Sequence, residues 1–169
     1  MTLADAKEEF VTAWGGLGSH WGINKTMAGI HALMLVNKDP MSAEDIMEKL
    51  QISRGNVNMN VRALVDWNLI SRTSVKGERR EYFIAEKDPW RMATRIAHER
   101  RKRELEPMIK TLDNIRHMEI KTGNKKEIEE FQNFISSLQE FSHKVDNLFT
   151  TLTRADQNWF TGTLLKLLK

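Results

Sequence analysis

A change of hydrophobic period between Gln51 and Ala85 limits the fold of this chain more than any other feature. The stretch reads QISRGNVNMNVRALVDWNLISRTSVKGERREYFIA. Its first half carries apolar residues at the spacing of one helix face: Val57, Val61, Leu64 and Val65. From Leu69 the period falls to two, the period of a strand, and residues 81–85 form a second strand after a turn at Lys76-Gly77-Glu78. A helix is therefore followed at once by a β-hairpin.

Two shorter helices are expected before this stretch. Lys25 to Val36 is almost entirely apolar, which predicts a buried helix. Ser42 is placed to cap the next helix, with Asp45 where a capping box needs it, and Ser53 is placed to cap the third. Two short helices, a longer third helix and a hairpin predict a winged helix-turn-helix. The expected fold class is mainly α, with this winged domain followed by a helical dimerisation region.

The third helix has a polar face whose composition favours contact with duplex DNA. Asparagine is a poor helix former, yet residues 56–60 hold three of them, and none is expected to serve the core. Asn and Arg can pair with adenine and guanine edges in the major groove, and a helix N-terminus favours phosphate. The candidate contacts on this recognition helix are Ser53, Arg54, Gly55, Asn56, Asn58, Met59, Asn60 and Arg62.

The tip of the hairpin is cationic. Lys76, Arg79 and Arg80 are expected to lie along a phosphate row or to enter the adjacent minor groove. Between Ser53 and Arg103 there are 13 Lys and Arg against 6 Asp and Glu, although the net charge of the whole chain is only +3. Such a concentration of cations favours a polyanionic partner, here double-stranded DNA.

The remaining segments are predicted to be helical. Leu3 to Leu17 is amphipathic and is expected to end at the glycines of GGLG. Helical character returns at Pro89 and continues to about Lys121, and Pro107 is expected to kink or restart the helix. HERRKRE contains no apolar residue and is expected to be solvated on all sides. The predicted organisation is an N-terminal helix packing on the dimerisation region (1–22), the winged domain (23–88) and the helical dimerisation region (89–169).

A long apolar pattern near the C-terminus predicts a helix that packs among several others. Its members follow three-and-four spacing: Ile128, Phe131, Ile135, Leu138, Val145, Phe149 and Leu152. Phe134, Phe141 and Leu148 add a flanking row with one member every seven residues. This surface exceeds what one small monomer needs to bury, which favours a homodimer interface, although part of it could instead cover the monomer's own core. A last amphipathic helix is expected from about Arg154 to Leu168.

Composition and motifs argue against several classes of protein. The chain has no cysteine, which excludes disulfides and thiolate metal sites. Its five histidines are scattered, and it has neither a glycine-rich phosphate loop nor a serine in a nucleophile elbow. No metal, cofactor or catalytic residue is therefore expected, and the protein is not expected to be an enzyme. Its best apolar run, Ala28 to Val36, is far short of the ~20 residues of a membrane span, so a soluble protein is expected. The absence of cysteine fits a cytoplasmic location.

Three blocks of the chain resemble a known family. ISRGNVNMNVRALVDWNLI, VKGERREYFIAEKDPW and RKRELEPM are similar to the GbsR-like branch of the MarR regulators, over roughly Trp14 to Pro107. The resemblance implies a homodimeric regulator with a winged helix and a helical dimerisation region, usually a repressor. It places the recognition helix at Ser53 to Asp66 and the wing at Lys76 to Arg80.

The same resemblance raises the question of an effector, because some members of that branch sense choline or glycine betaine. A quaternary ammonium compound is bound best by an aromatic cage, in which each ring contributes roughly 0.5–2 kcal/mol. Trp14, Trp21 and Trp90 are the candidates for such a cage. The alternative, which their residue type favours, is that these tryptophans are core or interface anchors.

A rival interpretation rests on the C-terminal segment WFTGTLLKLLK. Basic amphipathic helices can lie on anionic membranes or bind other proteins. The chain would then be a helical protein- or membrane-interaction module. The apolar side of this segment is explained better by the helical bundle that contains Phe131 and Leu152, so membrane binding is not expected.

Overall fold

The predicted winged helix-turn-helix is present. The computed structural model describes residues 1–20 and 23–154. Its helices are α1 (Leu3–His20), α2 (Lys25–Val36), α3 (Ala43–Leu50), α4 (Arg54–Asp66), α5 (Pro89–Arg100), α6 (Glu106–Arg116) and α7 (Lys125–Arg154). Its strands are β1 (Met41–Ser42), β2 (Ile70–Thr73) and β3 (Tyr82–Ala85), and a π-helical turn, Arg101–Leu105, lies between α5 and α6. The last predicted helix, from about Arg154 to Leu168, lies outside the described residues except at its first residue.

The wing is part of a three-stranded antiparallel sheet with the order β1-β3-β2. The predicted hairpin is confirmed: Ile70 pairs with Ala85 and Thr73 with Tyr82. The short strand β1 adds Met41 opposite Phe83 on the other edge of β3. Strand β1 was not predicted, because two residues are too few to show a strand period.

Helix caps fix where α3 and α4 begin. The backbone N–H of Ser42 donates to Oδ2 of Asp45 at 2.8 Å, and the N–H of Asp45 donates to Oγ of Ser42 at 3.2 Å, so the predicted capping box is confirmed. Ser53 accepts the N–H of Asn56 at 3.3 Å and caps α4. These caps hold the turn between the two helices of the motif.

The core of the winged domain lies among α2, α3, α4 and the sheet. Its largest fully buried apolar side chains are those of Ile30, Ile46, Val57, Leu64 and Leu69, each with 1% or less of its surface exposed. Because α4 packs its predicted apolar stripe into this core, the opposite face of α4 is exposed to solvent.

The glycines of α1 do not end the helix, contrary to the prediction, because α1 continues through them to His20. They allow α1 to approach α2 closely instead. A Cβ on Gly18 would collide with the Cβ of Ala28, and a Cβ on Gly15 would lie 3.6 Å from the carbonyl oxygen of Lys25. Glycine is therefore required at 18 by packing rather than by a left-handed conformation.

The chain forms two compact units, Met1–Arg95 and a second that begins at Ile96. The boundary falls seven residues after the predicted one at 88/89. Helix α1 belongs to the first unit, in which it packs on α2. Its predicted packing on the dimerisation region stays a prediction.

In the second unit, Pro107 interrupts the helix as predicted. Proline has no N–H and its ring clashes with the carbonyl four residues earlier, and the chain meets both constraints with the π-helical turn just before it. The prediction that HERRKRE is solvated on all sides is wrong for Arg101. Its guanidinium donates to both carboxylate oxygens of Asp146 and to Glu106, and its side chain is only 21% exposed.

Helix α7 buries part of its predicted stripe and exposes the flanking row. Ile135 is 6% exposed and packs in the second unit. Phe134, Phe141 and Leu148 are 62%, 63% and 59% exposed. None of the described helices combines the length and the apolar character needed to cross a membrane.

Candidate nucleic-acid interface

The N-terminus of α4 presents Ser53, Arg54 and Gly55 to solvent. A Cβ on Gly55 would meet no atom within 4 Å, so no internal contact requires glycine at this position. A bare backbone at the first turn of a helix lets a phosphate or a base edge approach the free N–H groups. The predicted role of Gly55, close approach of the backbone to a ligand, is compatible with this open space.

Arg54 forms an exposed ion pair with Glu44 of α3. Its Nη2 donates to Oε1 of Glu44, and the two side chains are 66% and 43% exposed. The backbone N–H of Glu44 and the guanidinium of Arg54 hold the pKa of the Glu44 carboxyl below its usual value. Because exposed pairs contribute little to stability, Arg54 can exchange this carboxylate for a phosphate or a guanine at small cost.

Three other predicted contacts, Asn58, Met59 and Arg62, lie exposed on the outer face of α4. Met59 is 63% exposed, so its side chain is accessible to a partner. An apolar side chain on a DNA-facing helix can contact the methyl group of thymine.

The prediction that Asn60 contacts DNA is not compatible with its position. Asn60 is 1% exposed, and its amide bonds to Asn24 and Asn56 inside the domain. Its place three residues after Val57 and four before Leu64 puts it within the apolar arc of α4. That spacing was the available indication in the sequence. The role of Asn24, which caps α2 and holds Asn60, was missed altogether.

The wing turns at Gly77, whose φ of +88° favours glycine, and the N–H of Glu78 donates to the carbonyl of Val75 at 3.1 Å. Lys76, Arg79 and Arg80 are all exposed, as predicted for a phosphate-contacting tip. These three cations lie within five residues of one turn.

Arg80 makes two contacts with other side chains of the wing. Its Nη2 lies 3.2 Å from Oε2 of Glu78, and its guanidinium lies 5.9 Å from the centre of the Tyr82 ring. The hydrogen bond to Glu78 and the proximity of Tyr82 raise the pKa of Arg80, which stays charged. The base of the wing is held by a further pair, with Nε of Arg72 2.8 Å from Oε1 of Glu81.

The start of α5 is tied to the end of α4 within the first unit. Nη1 of Arg95 donates to the carbonyl of Asn68 at 2.5 Å, and lies 3.2 Å from Glu86, the residue after β3. The N–H of Asp88, together with Arg95 and Arg91, lowers the pKa of Glu86, which therefore remains a carboxylate. These contacts fix the strand that carries the wing relative to α5.

The three tryptophans predicted to form an effector cage are placed as follows. Trp14 stacks on Phe10 with ring centres 5.4 Å apart. Trp90 is half-buried in the first turn of α5. Trp21 lies outside the described residues, so the cage stays a prediction.

A cavity of ≈ 310 Å³ lies in the second unit, between the end of α6, the following loop and α7. Its lining includes Ile115, Ile120, Phe131 and the side chain of Arg116. A guanidinium in the wall disfavours a quaternary ammonium ligand, so this cavity differs in chemistry from an aromatic cage. Within the described ranges, no three His, Asp or Glu side chains are grouped to hold a metal ion.

Parts of this chain are similar to known proteins. A family model described as the MarR family matches residues 26–81, which run from α2 to the end of the wing. The HTH-type transcriptional repressor GbsR of Bacillus subtilis (strain 168) is 26% identical over 93 residues, 55% of this chain and 51% of the relative. The chain thus spans about half the length of this curated relative.

A solved structure described as that of a transcriptional regulator has the same fold. It is 18% identical, the match covers 88% of this chain and 95% of that chain, and the TM-score is 0.65. At this identity the likeness establishes the fold alone. Residues 26–81, which carry the candidate contacts of α4 and of the wing, are thus the part of the chain that is similar to the MarR family.

Proposed function

We propose that the protein is a cytoplasmic transcriptional regulator that binds double-stranded DNA sequence-specifically, as a homodimer on a pseudo-palindromic operator, and that it represses. The observation that carries the proposal is the pairing of two exposed cationic features in one unit. One is the N-terminus of α4 at Arg54, and the other is the wing tip with Lys76, Arg79 and Arg80. The major groove admits a helix, while a wing can follow the neighbouring phosphates or minor groove.

Weak internal pairing of these cations supports the proposal. Arg54 and Arg80 are each paired with an exposed carboxylate, Glu44 and Glu78. In the free protein such pairs reduce repulsion among the cations, and DNA phosphates can replace them. Contact with phosphates then releases condensed counterions, which makes binding strongly dependent on salt.

The homodimer is proposed to form through α7. Phe134, Phe141 and Leu148 lie seven residues apart, and each is more than half exposed. A row of large apolar side chains along one helix marks an interaction surface more often than a free surface, and seven-residue spacing suits packing against another helix. Two recognition helices have to lie about 34–36 Å apart to enter successive major grooves, and a dimer of this chain is proposed to meet that requirement.

An effector of the quaternary ammonium class is a further part of the proposal, supported by the resemblance to choline- and betaine-sensing regulators. Isothermal titration with choline and with glycine betaine tests it directly. Heat of binding that disappears in a Trp90→Ala variant is the expected result, and the absence of heat with both compounds would remove the effector from the proposal.

The DNA-binding part is tested by selecting bound duplexes from a random pool with the wild-type protein and with two variants. Arg54→Ala is expected to relax base preference at one position of each half-site. Arg79→Ala is expected to weaken binding to all sequences and to reduce the slope of log K against log salt by about 1. A Lys126→Ala variant, which removes an exposed cation from α7, is the control. Unchanged affinity and site preference in both arginine variants would contradict the proposed reading surface.

The dimer is tested by solution mass. Phe134→Glu together with Phe141→Glu is expected to convert a dimer into monomers, because two carboxylates would have to be buried in the interface. Glu130→Gln, a change at another exposed position of α7, serves as the control and is expected to leave the mass unchanged. A wild-type protein that sediments only as a monomer at micromolar concentration would refute dimerisation.

A further inference from the structure

Three asparagines form a continuous chain of hydrogen bonds from α2 to the recognition helix. Oδ1 of Asn24 accepts the backbone N–H of Met27 at 2.8 Å, and Nδ2 of Asn24 donates to Oδ1 of Asn60 at 2.8 Å. Nδ2 of Asn60 then donates to the carbonyl oxygen of Asn56 at 2.8 Å and to Oδ1 of Asn56 at 2.7 Å. Asn60, at the centre of the chain, is 1% exposed.

The direction of this chain is fixed at both ends by backbone groups. The oxygen and nitrogen of a side-chain amide can be exchanged by a half-turn, so their positions normally follow from their partners. Here the N–H of Met27 can only donate and the carbonyl of Asn56 can only accept. Reversing Asn60 would set two acceptors against each other at Asn56 and two donors at Asn24. One orientation of Asn24 and Asn60 therefore satisfies every group.

The fixed direction determines which group Asn56 can offer to a partner. Its Oδ1 is turned toward the buried amide of Asn60, and the planar amide directs its Nδ2 away from that contact. Asn56 is half-buried and lies in the first turn of α4, between the exposed Arg54 and Asn58. The group that Asn56 can offer to the DNA groove is therefore its hydrogen-bond donor, Nδ2.

A donor distinguishes the bases in a defined way. The paired contact of an asparagine with adenine needs both its oxygen and its nitrogen, whereas guanine presents two adjacent acceptors, N7 and O6. The arrangement therefore changes the expectation for Asn56 from adenine to guanine.

We propose that Asn24 and Asn60 are positioning residues that make Asn56 a hydrogen-bond donor toward DNA, so that Asn56 selects guanine. The inference rests on the proposed function, because it assumes that α4 enters the major groove. It adds a specificity determinant that lies inside the protein and does not touch the duplex.

The test compares selected DNA sites among four proteins. Asn56→Ala identifies the base pair that Asn56 reads, and in the wild type this pair is expected to show guanine over adenine by roughly tenfold. The double variant Asn24→Ser with Asn60→Leu removes both buried amides together. The introduced serine retains an oxygen for the N–H of Met27, and the introduced leucine leaves no unpaired buried group, so this variant is expected to fold. The control is Leu64→Met, a change of similar volume elsewhere in the core of α4.

In the double variant, the guanine preference at that one base pair is expected to fall below about threefold, because Asn56 is free to turn either group outward. Preferences at all other positions are expected to persist. A guanine preference that persists in the double variant would overturn the inference, and so would a preference for adenine in the wild type. Neither result would contradict the proposed function, DNA binding. Failure of the wild type to select any DNA would overturn the proposed function and the inference together.

A measurement without DNA tests the amide chain by itself. In the wild-type protein, exchange of the side-chain NH₂ protons of Asn60 with water, followed by NMR, is expected to be at least about a hundredfold slower than that of the exposed Asn58, because both protons are bonded in the interior. Exchange of Asn60 as fast as that of Asn58 would overturn the inference whatever the DNA selection shows, and it remains decisive if the double variant does not fold.

Discussion

Arg101 and Asp146 form a two-point contact in the second unit, with Nε donating to Oδ1 at 2.6 Å and Nη2 to Oδ2 at 3.0 Å. The first residue lies in the π-helical turn before Pro107 and the second lies in α7. Both side chains are about one-fifth exposed, at 21% and 20%. The contact therefore joins the interrupted helix to α7 at the point where the backbone departs from α-helical geometry.

Arg101→Ala is expected to lower the free energy of unfolding by about 1.5–3 kcal/mol, the usual range for hydrogen bonds to a charged group that is largely shielded from water. Arg101→Lys keeps the charge but loses the paired geometry, so it is expected to recover only part of this loss. Urea denaturation of the three proteins provides the measurement. A loss below about 0.5 kcal/mol in the alanine variant would show that the contact is not stabilising.

Acid is expected to weaken the same contact. The hydrogen bonds from Arg101 hold the pKa of Asp146 below its ordinary value of 3.8. The resulting stability is fully present above that value and is lost as the pH falls below it and through the lowered pKa of the folded state. An Asp146→Asn variant should therefore show a shallower loss of stability below about pH 4 than the wild type.

His31 is expected to make the protein sensitive to mild acid. It is buried in α2, and burial lowers its pKa to about 4 from an ordinary value of 6.5. Above pH 6.5 both folded and unfolded chains carry a neutral imidazole. As the pH falls from 6.5 to 4 the unfolded chain takes up a proton that the folded chain excludes, so about 3 kcal/mol of stability is lost over that window.

Denaturation measured between about pH 7 and pH 4 with His31→Leu tests this expectation. The free energy of unfolding of the variant should no longer fall with pH in that window. At neutral pH it should match that of the wild type within about 1 kcal/mol, because Nε2 of His31 is buried without a hydrogen-bond partner within the described part of the chain. His117→Gln, a change at an exposed histidine, should keep the wild-type slope. An unchanged slope in the leucine variant would exclude His31 as its source.

Alanine substitutions at two glycines of α1 are expected to have opposite effects on stability. Gly18→Ala places a methyl group against Ala28 and is expected to destabilise the first unit by about 1–3 kcal/mol. A Cβ on Gly16 meets no atom within 4 Å, so Gly16→Ala is expected to stabilise the helix by up to about 1 kcal/mol. Thermal melting of the two variants provides the comparison. Equal effects would mean that α1 does not pack on α2 through Gly18.

The capping box of α3 gives a further prediction. Ser42→Ala is expected to reduce stability by about 1 kcal/mol, since it removes the oxygen that accepts the N–H of Asp45. The backbone and side chain of Ser42 hold the pKa of Asp45 below 3.8, so the carboxylate half of the box is lost only below that pH. Ser71→Ala, at an exposed position of β2, is the control. A melting temperature equal to that of the wild type in Ser42→Ala would contradict this role.

Much of the winged domain could be predicted because local rules and tertiary packing agree there. Helix α2 has the predicted limits, and the serine caps and the apolar stripe of α4 set the start and orientation of the recognition helix. The errors occurred where one residue type serves two purposes. A glycine in a sequence can indicate either the end of a helix or a close contact between two helices. Only the position of α2 shows that Gly18 makes a close helix contact.

Asn60 illustrates the same limit for polar residues. An asparagine is equally polar on the surface and in a satisfied internal network, and its partner Asn24 lies 36 residues away. The helical spacing placed Asn60 on the buried arc, but the composition of the helix favoured an external role. Arg101 was misplaced for a similar reason, because its partner Asp146 belongs to a distant helix.

The returning strand of the wing, β3, has neighbours on both edges at Tyr82 and Phe83. Arg80, two residues before Tyr82, is therefore carried by a stiff support rather than by a pliable loop. When such a support meets a duplex, the nucleic acid has to widen or bend to fit it, and the energy of that distortion varies with base sequence. In the proposed complex with DNA, the choice of binding site is then expected to extend to base steps beneath the wing that no side chain touches.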